Sequence, residues 1–324
     1  MNVTRRSSLL LSALALTGGL LGGRSARADE VAAELQAETS SWGFLPNNLP
    51  LRNEHGHAAS YSSQGEVNLQ SAFFTAQGSN GRHCGSCHAP ETGWSMSAAL
   101  LQQVFEQSQG LAPVFNALDA DRNGADPVAT LEQRRHAYSM LLQGKFSRNQ
   151  TPPANAEFSV VAADDPFGIG STTRFWFFRR SLPTANFRSH IVSWDGANTV
   201  GTSLHEGLAR QARGNITGAQ QGTPPANETI VQEIVEYEKA LSHAQLIVRG
   251  VGRLDAGGAH GGPEHLSAQP LVAGRFDLFD AWIGATNPRR AQIARGQEIF
   301  NNPRPDGSSC RGCHNAANDG QNVA

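Results

Sequence analysis

The chain has 324 residues, a formal charge of −2, 39% apolar residues, 34 glycines and 16 prolines. That length allows two domains, and that composition implies many loops around a modest aliphatic core. The near-neutral charge excludes a basic nucleic-acid surface.

The first residues carry Arg5-Arg6, then the apolar run Leu9 to Leu21, then Ala26-Arg27-Ala28. A charged start, an apolar stretch and an A-x-A site predict a signal peptide over 1–28, with the mature chain beginning at Asp29 in the periplasm or outside the cell. The run is too short, and too interrupted by Gly18 and Gly19, for a stable membrane span. Arg5-Arg6 would suit the twin-arginine route as well as an ordinary leader. The leader has Arg5, Arg6, Arg24 and Arg27 and no acid, so taking four positive charges from −2 leaves −6.

Residues 29–82 are polar and loop-rich, with one apolar cluster at Leu69, Ala72, Phe73 and Phe74 that predicts a helix. Gly78 to His83 gives a flexible entry to Cys84-Gly85-Ser86-Cys87-His88. All four cysteines lie in this pentapeptide and its second copy, Cys310-Arg311-Gly312-Cys313-His314. Cys-x-x-Cys-His is the attachment signature of c-type haem. On one helical turn the two thiols face the same side, where they can form thioethers, and the next histidine supplies the proximal imidazole. The cofactor implied is therefore two covalently attached haems c, with Cys84, Cys87, Cys310 and Cys313 as anchors and His88 and His314 as iron ligands. A disulfide, a zinc site or a redox dithiol are the competing readings, and none of them needs a histidine after the second cysteine. Because haem c is attached to an unfolded chain after translocation, the general secretory route fits best, and thioethers would keep the thiols out of disulfides.

After His88 a turn leads to Trp94, which suits a core position or an electron-relay role at a haem edge. Residues 97–118 and 130–143 have helical apolar spacing. Between them, Asp119-Ala120-Asp121-Arg122-Asn123-Gly124 matches half of an EF-hand loop, but Thr130 stands where a bidentate Glu is required, so a solvated turn is the better reading. Residues 149–172 read as loop. Phe175 to Phe178 is an aromatic run closed by Arg179-Arg180, which are candidates for haem propionates or for plain surface. A helix is predicted from the N-cap Asn227 through Leu241. Residues 250–274 form a Gly/His connector with His260 and His265, and a further helix begins at Pro288.

These features predict a mainly α protein of cytochrome c-like helical haem domains with long irregular loops. The expected division is 29–285 as an N-terminal haem domain with long insertions and 286–324 as the start of a second one. The latter ends soon after His314, which reads as truncation. For the sixth ligand of the first iron, Met140 and Met96 are the methionine candidates, Met140 the better placed, and His83, His136 and His190 the imidazole alternatives.

Asn80-Gly81-Arg82-His83, Ala137 to Leu142, Ala156-Glu157-Phe158, Asp164 to Gly168, Phe178 to Asn186, Trp194-Asp195-Gly196 and Arg295-Gly296-Gln297, taken in order with the first pentapeptide, resemble the bacterial di-haem cytochrome c peroxidases and MauG. The resemblance covers most of 65–315. It implies haems within electron-tunnelling reach, a small periplasmic electron donor (a cytochrome c or a cupredoxin) and hydrogen peroxide as oxidant. Gln211-Ala212 matches a Gln-Ala pair that precedes a catalytic loop in those enzymes, which makes Gln211 the candidate catalytic residue. The loop that follows, Arg213 to Gln221, has glutamines where those enzymes have a proton-shuttling Glu, and Glu206 and Glu228 only flank it. No counterpart of their distal-histidine loop lies between His88 and Asp119. Two functions stand side by side: a haem-dependent oxidoreductase, and a non-enzymatic electron carrier with both irons six-coordinate.

Overall fold

The computed structural model describes residues 43–187, 192, 193, 198, 201–268 and 275–314, with the side chain of Cys313 outside the description. The predicted leader, His190 and Trp194-Asp195-Gly196 also lie outside it.

Short strands come first: β1 (Phe44–Pro46), β2 (Leu51–Asn53), β3 (Gly56–Ser62) and β4 (Glu66–Asn68). The apolar cluster near Phe73 forms only a 3-10 turn over Ala72–Phe74. Helix α1 (Ala98–Ser108) starts at Ser97, whose Oγ accepts from the Leu100 N–H, and stops where Gln109 and Gly110 turn left-handed at φ 53° and 72°. Helix α2 (Leu131–Ala137) begins with a capping box between Thr130 and Gln133, which gives Thr130 a structural task in place of the missing calcium ligand. Strands β5 (Phe146–Gln150) and β6 (Phe175–Arg179) pair across the long loop, with Asn149 opposite Trp176.

Helix α3 (Leu204–Gly214) runs on into a π turn at Asn215–Ala219, and α4 (Glu228–Ala240) follows, capped by Asn227 as its sequence predicts. Strand β7 (Leu241–Val248) leaves α4 without a loop and turns back into β8 (Gly252–Arg253). The remaining helices are α5 (Pro263–Ala268), α6 (Pro288–Asn301), begun by Asn287 and Pro288, and the single turn α7 (Cys310–Cys313). Among the described residues no helix is long and apolar enough to cross a membrane.

The expectation of a mainly α, cytochrome c-like fold is overturned: the structure is 35% helix and 15% strand, with several antiparallel sheets. Strands pair as β1-β4, β2-β3-β7-β8 and β5-β6. The central pairing is β3 with β7, from Gly56 opposite Val248 to Ser62 opposite Leu241, with a bulge between His57 and Ala58. These strands are hard to see in the sequence because their inward positions are small or polar. Ser60, Ser62 and Ser242 are buried, and the Ser60 hydroxyl is bonded to His243 Nδ1 at 3.0 Å. Satisfied polar groups of this kind break the apolar alternation that marks a strand.

Three cores result. The first packs α3 and α4 against Phe73 and Trp94, the second lies under α1 and α2, and the third joins Val251, Leu254 and Trp282 to Ala294 of α6. That third core crosses the division expected at 285/286.

Candidate cofactor site

The first pentapeptide forms one tight turn. Cys84 to Ser86 is a 3-10 turn, and the N–H groups of Cys87 and His88 both donate to Cys84 O, each at 3.1 Å. Gly85 is required by packing: a Cβ there would stand 2.4 Å from the Phe74 ring. The backbone N–H of His83 donates to Ser86 Oγ at 3.1 Å, which closes the turn.

This turn forms part of the wall of a cavity of about 520 Å³. Arg82 to Cys84, Cys87 and His88 line one part, and Leu118 and Asp119 another. Phe146 to Asn149 of β5 and Trp176 of β6 add a third part, and Ser181 and Thr184 a fourth. Gln211 and Ala212 of α3, the π turn beyond them, and Ile234 and Glu238 of α4 complete it. A π turn interrupting a helix is a recurrent feature of functional sites. The two thiols are free, and the surface they retain is that of the cavity.

His88 is held from behind. Its Nδ1 lies 2.9 Å from Trp94 O, and Ser181 Oγ lies 3.2 Å from Nδ1 and 3.4 Å from Nε2. Trp94 has φ 61° with its side chain fully buried, an uncommon backbone state for a residue of that size. Its carbonyl takes both His88 Nδ1 and the Thr184 N–H, and its indole N–H donates to Ser60 Oγ at 2.9 Å. Burial lowers His88 to about 4, against the opposing bonds to Trp94 and Leu182, so the imidazole is neutral at physiological pH. Nδ1 lies closest to the Trp94 carbonyl, and Nε2 also has Ser181 Oγ at 3.4 Å, so both ring nitrogens have polar neighbours in the protein.

Burial also raises both thiols. Cys84 is lifted well above the ordinary range by burial, then by Glu238 and Cys87, and Cys87 is pushed up to about 11 by burial, with Arg82 opposing. Neutral buried thiols make poor dithiol nucleophiles. Among the described residues no cluster of three or more His, Cys, Asp or Glu side chains could hold a metal ion.

Charge at the rim is organised around Asp119, which meets Arg82 at 2.7 Å and Arg148 at 3.2 Å. Arg82 also donates to the carbonyls of Pro113 and Val114. Asp121 is engaged by the Ser139 hydroxyl and the Met140 N–H, and Asp126 by the Arg122 N–H, so these carboxylates tie the Asp119–Gly124 segment to the chain that follows it.

A porphyrin fits what these residues offer. The volume lies in the range of cofactor pockets, roughly 300–1,000 Å³. Two thiols and a neutral imidazole share one turn, and Phe146, Ile234 and Ala212 add apolar wall. Five lining residues carry a buried polar atom with no partner: His83 Nδ1, Ser147 Oγ, Trp176 Nε1, Thr184 Oγ1 and Glu238 Oε2. Buried polar atoms are normally bonded, and these five belong to residues of the cavity wall while having almost no accessible surface of their own.

Of the residues singled out in the sequence, Cys84, Cys87, His88 and Gln211 come together at this cavity, and His83 with them. Met140 is not among its lining residues; its N–H is bonded to Asp121 and its sulfur receives Gln143 Nε2 at 3.7 Å. Met96 is buried in the second core. Arg179 stacks over Phe177, 4.7 Å from the ring centroid, and it is Arg148 that reaches the cavity. Glu206 and Glu228 are both bonded to Arg213 at 2.9 Å. Glu238 was missed by sequence reasoning, although its signal was present: it falls four residues after Ile234 on the apolar face of α4, where a charged residue is out of place.

The second pentapeptide is different. Ser309 Oγ accepts from the Gly312 N–H at 3.0 Å, and the His314 N–H donates to Cys310 O at 2.8 Å. Arg304 Nη2 approaches Cys310 Sγ at 3.8 Å, and His314 is exposed, with Phe300 at 6.4 Å between ring centroids. None of these residues lines the cavity around Cys84.

Compared with known proteins, the chain matches no family profile, no curated sequence and no solved structure.

Proposed function

We propose that this protein is an exported redox protein carrying two covalent haems c, one at Cys84, Cys87 and His88 and one at Cys310, Cys313 and His314. The reading is of an oxidoreductase of the cytochrome c peroxidase/MauG type, with a small electron-donor protein and hydrogen peroxide as its partners. The observation that carries it is the first pentapeptide turn set in the wall of a 520 Å³ cavity, its histidine neutral and held through Nδ1. When bound, the haem would supply a one-electron redox centre at Cys84, Cys87 and His88. The chain's own part is orientation and exclusion of water. Trp94 O and Ser181 fix the imidazole, the buried Arg82–Asp119 pair closes the rim, and Gln211 with Asn215 presents amides to the cavity.

A carrier with six-coordinate irons is the alternative. The position of Met140 and Met96 outside the cavity favours the enzyme over it. The test uses protein made in a host that matures c-type cytochromes. A high-spin ferric EPR signal, together with peroxide-dependent oxidation of a reduced small cytochrome c, is expected. A fully low-spin spectrum in the oxidised and half-reduced forms, with no turnover, would establish the carrier instead.

A further inference from the structure

Glu238 is an unusual occupant of the cavity wall. The residue is 3% exposed, its Oε2 has no partner, and it stands close enough to Cys84 to raise that thiol. A buried carboxylate is normally paired with a cation. The two guanidiniums of this cavity, Arg82 and Arg148, are both engaged by Asp119.

We propose that Glu238 makes electron transfer at this site proton-coupled: its carboxylate takes one proton from solvent as the haem held at Cys84, Cys87 and His88 gains one electron, and returns it on oxidation. This rests on the haem reading above. The electron comes from a one-electron reductant, the donor protein in the cell and dithionite in the test. The proton comes from solvent: an O–H bond of hydronium or water breaks as the O–H bond of Glu238 forms, and no other bond is made or broken. The physical reason is charge balance in a low-dielectric space. An electron arriving beside an unpaired carboxylate adds a second negative charge, and protonation of that carboxylate removes one.

Other ionisable groups around Glu238 do not take over this task. Tyr237, beside it on α4, and Cys84 on the facing turn are both raised by burial and stay neutral. His83 and His88 on that turn are lowered by burial. On α3, Arg213 and Glu206 are tied to Glu228, ten residues away along α4, and the turn at Ala72–Phe74 brings no charge. Burial lifts the Glu238 carboxyl to about 8, so it is protonated at neutral pH and proton uptake accompanies the electron above about pH 8, where the carboxylate forms.

The experiment is a spectroelectrochemical titration of the haem-loaded full chain from about pH 6 to about pH 10, bracketing the shifted carboxyl. Covalent haem is counted first by its pyridine haemochromogen; if none is found, the haem assignment itself falls. With haem present, the midpoint potential of the wild type should be level below about pH 8 and should drop above it by up to about 59 mV per pH unit, one proton per electron, and Glu238→Gln should flatten that slope. A wild type with no slope, or a variant with the same slope, overturns the proposal for Glu238 and leaves the haem reading intact. A redox-triggered infrared difference spectrum of the wild type keeps the test open should the variant fail to fold. Above about pH 8, a protonated-carboxyl band that appears on reduction and shifts in heavy water is expected, and its absence contradicts the proposal.

Discussion

Cys84–His88 and Cys310–His314 share the same three fixed letters in the same spacing, but among the described residues the first lines the 520 Å³ cavity and the second does not. Around it, segments from residue 82 to residue 238 converge, and five of them contribute buried polar atoms without partners. At the second, Arg304 and the ring of Phe300 lie close, and His314 is exposed. The comparison separates two things that a motif runs together. The pentapeptide supplies the anchoring chemistry, and long-range packing supplies the enclosure that tunes it. A neutral His88 and raised thiols follow from the enclosure.

Replacing cysteines tests that contrast most strongly. Cys84→Ala with Cys87→Ala should remove one of two covalent haems, halving the haemochromogen absorbance per chain, and should also weaken the first core by leaving its cavity unfilled. Cys310→Ala with Cys313→Ala should remove the other haem with little change in the urea midpoint. Equal destabilisation by the two pairs would mean that enclosure does not distinguish the sites.

The rim pair comes next. Asp119 and Arg82 are both buried, and breaking such a pair leaves an uncompensated charge. Asp119→Asn should therefore cost about 3–5 kcal/mol in equilibrium urea unfolding. At the second motif, Arg304→Met should change stability by no more than about 0.5 kcal/mol, as for other surface positions.

Acid should act on the enclosed region first. Burial lowers His243 to about 4. A histidine depressed in the folded state contributes stability that is present above its unfolded value near 6.5 and is lost as pH falls through its folded value. That loss amounts to about 3 kcal/mol at most. Hydrogen exchange followed by mass spectrometry should show peptides from β3 and β7 losing protection as pH falls from about 6.5 to about 4, ahead of α6. His243→Gln should shrink this limb, to which His88, lowered by burial to the same value, also contributes, and an unchanged acid profile in the variant would exclude His243 as a cause.

How much of this was legible beforehand follows the same division. The cap of α4 at Asn227, the start of α6 at Pro288 and both pentapeptides could be read from local chemistry. The β3–β7 pairing could not, because it brings residues near 60 to residues near 245 through strands whose buried serines and histidine satisfy one another. The enclosure of the first site was hidden for the same reason. Trp176, Arg148 and Glu238 become neighbours of Cys84 only through tertiary packing.

Met140 gives the smallest effect. Its position outside the cavity wall predicts that Met140→Leu leaves the visible spectrum of the haem protein unchanged, with a stability change below about 1.5 kcal/mol. Loss of a low-spin signal in that variant would place its sulfur on the iron after all.

The central claim is that porphyrin is bonded through sulfur at Cys84 and Cys87, inside the cavity. The most direct measurement is peptide mapping by mass spectrometry of denatured, acid-acetone-extracted protein from a host that matures c-type cytochromes. The account predicts that the peptide containing residues 84–88 retains haem mass on both cysteines. Recovery of that peptide with two unmodified thiols, or with a disulfide between them, would contradict it.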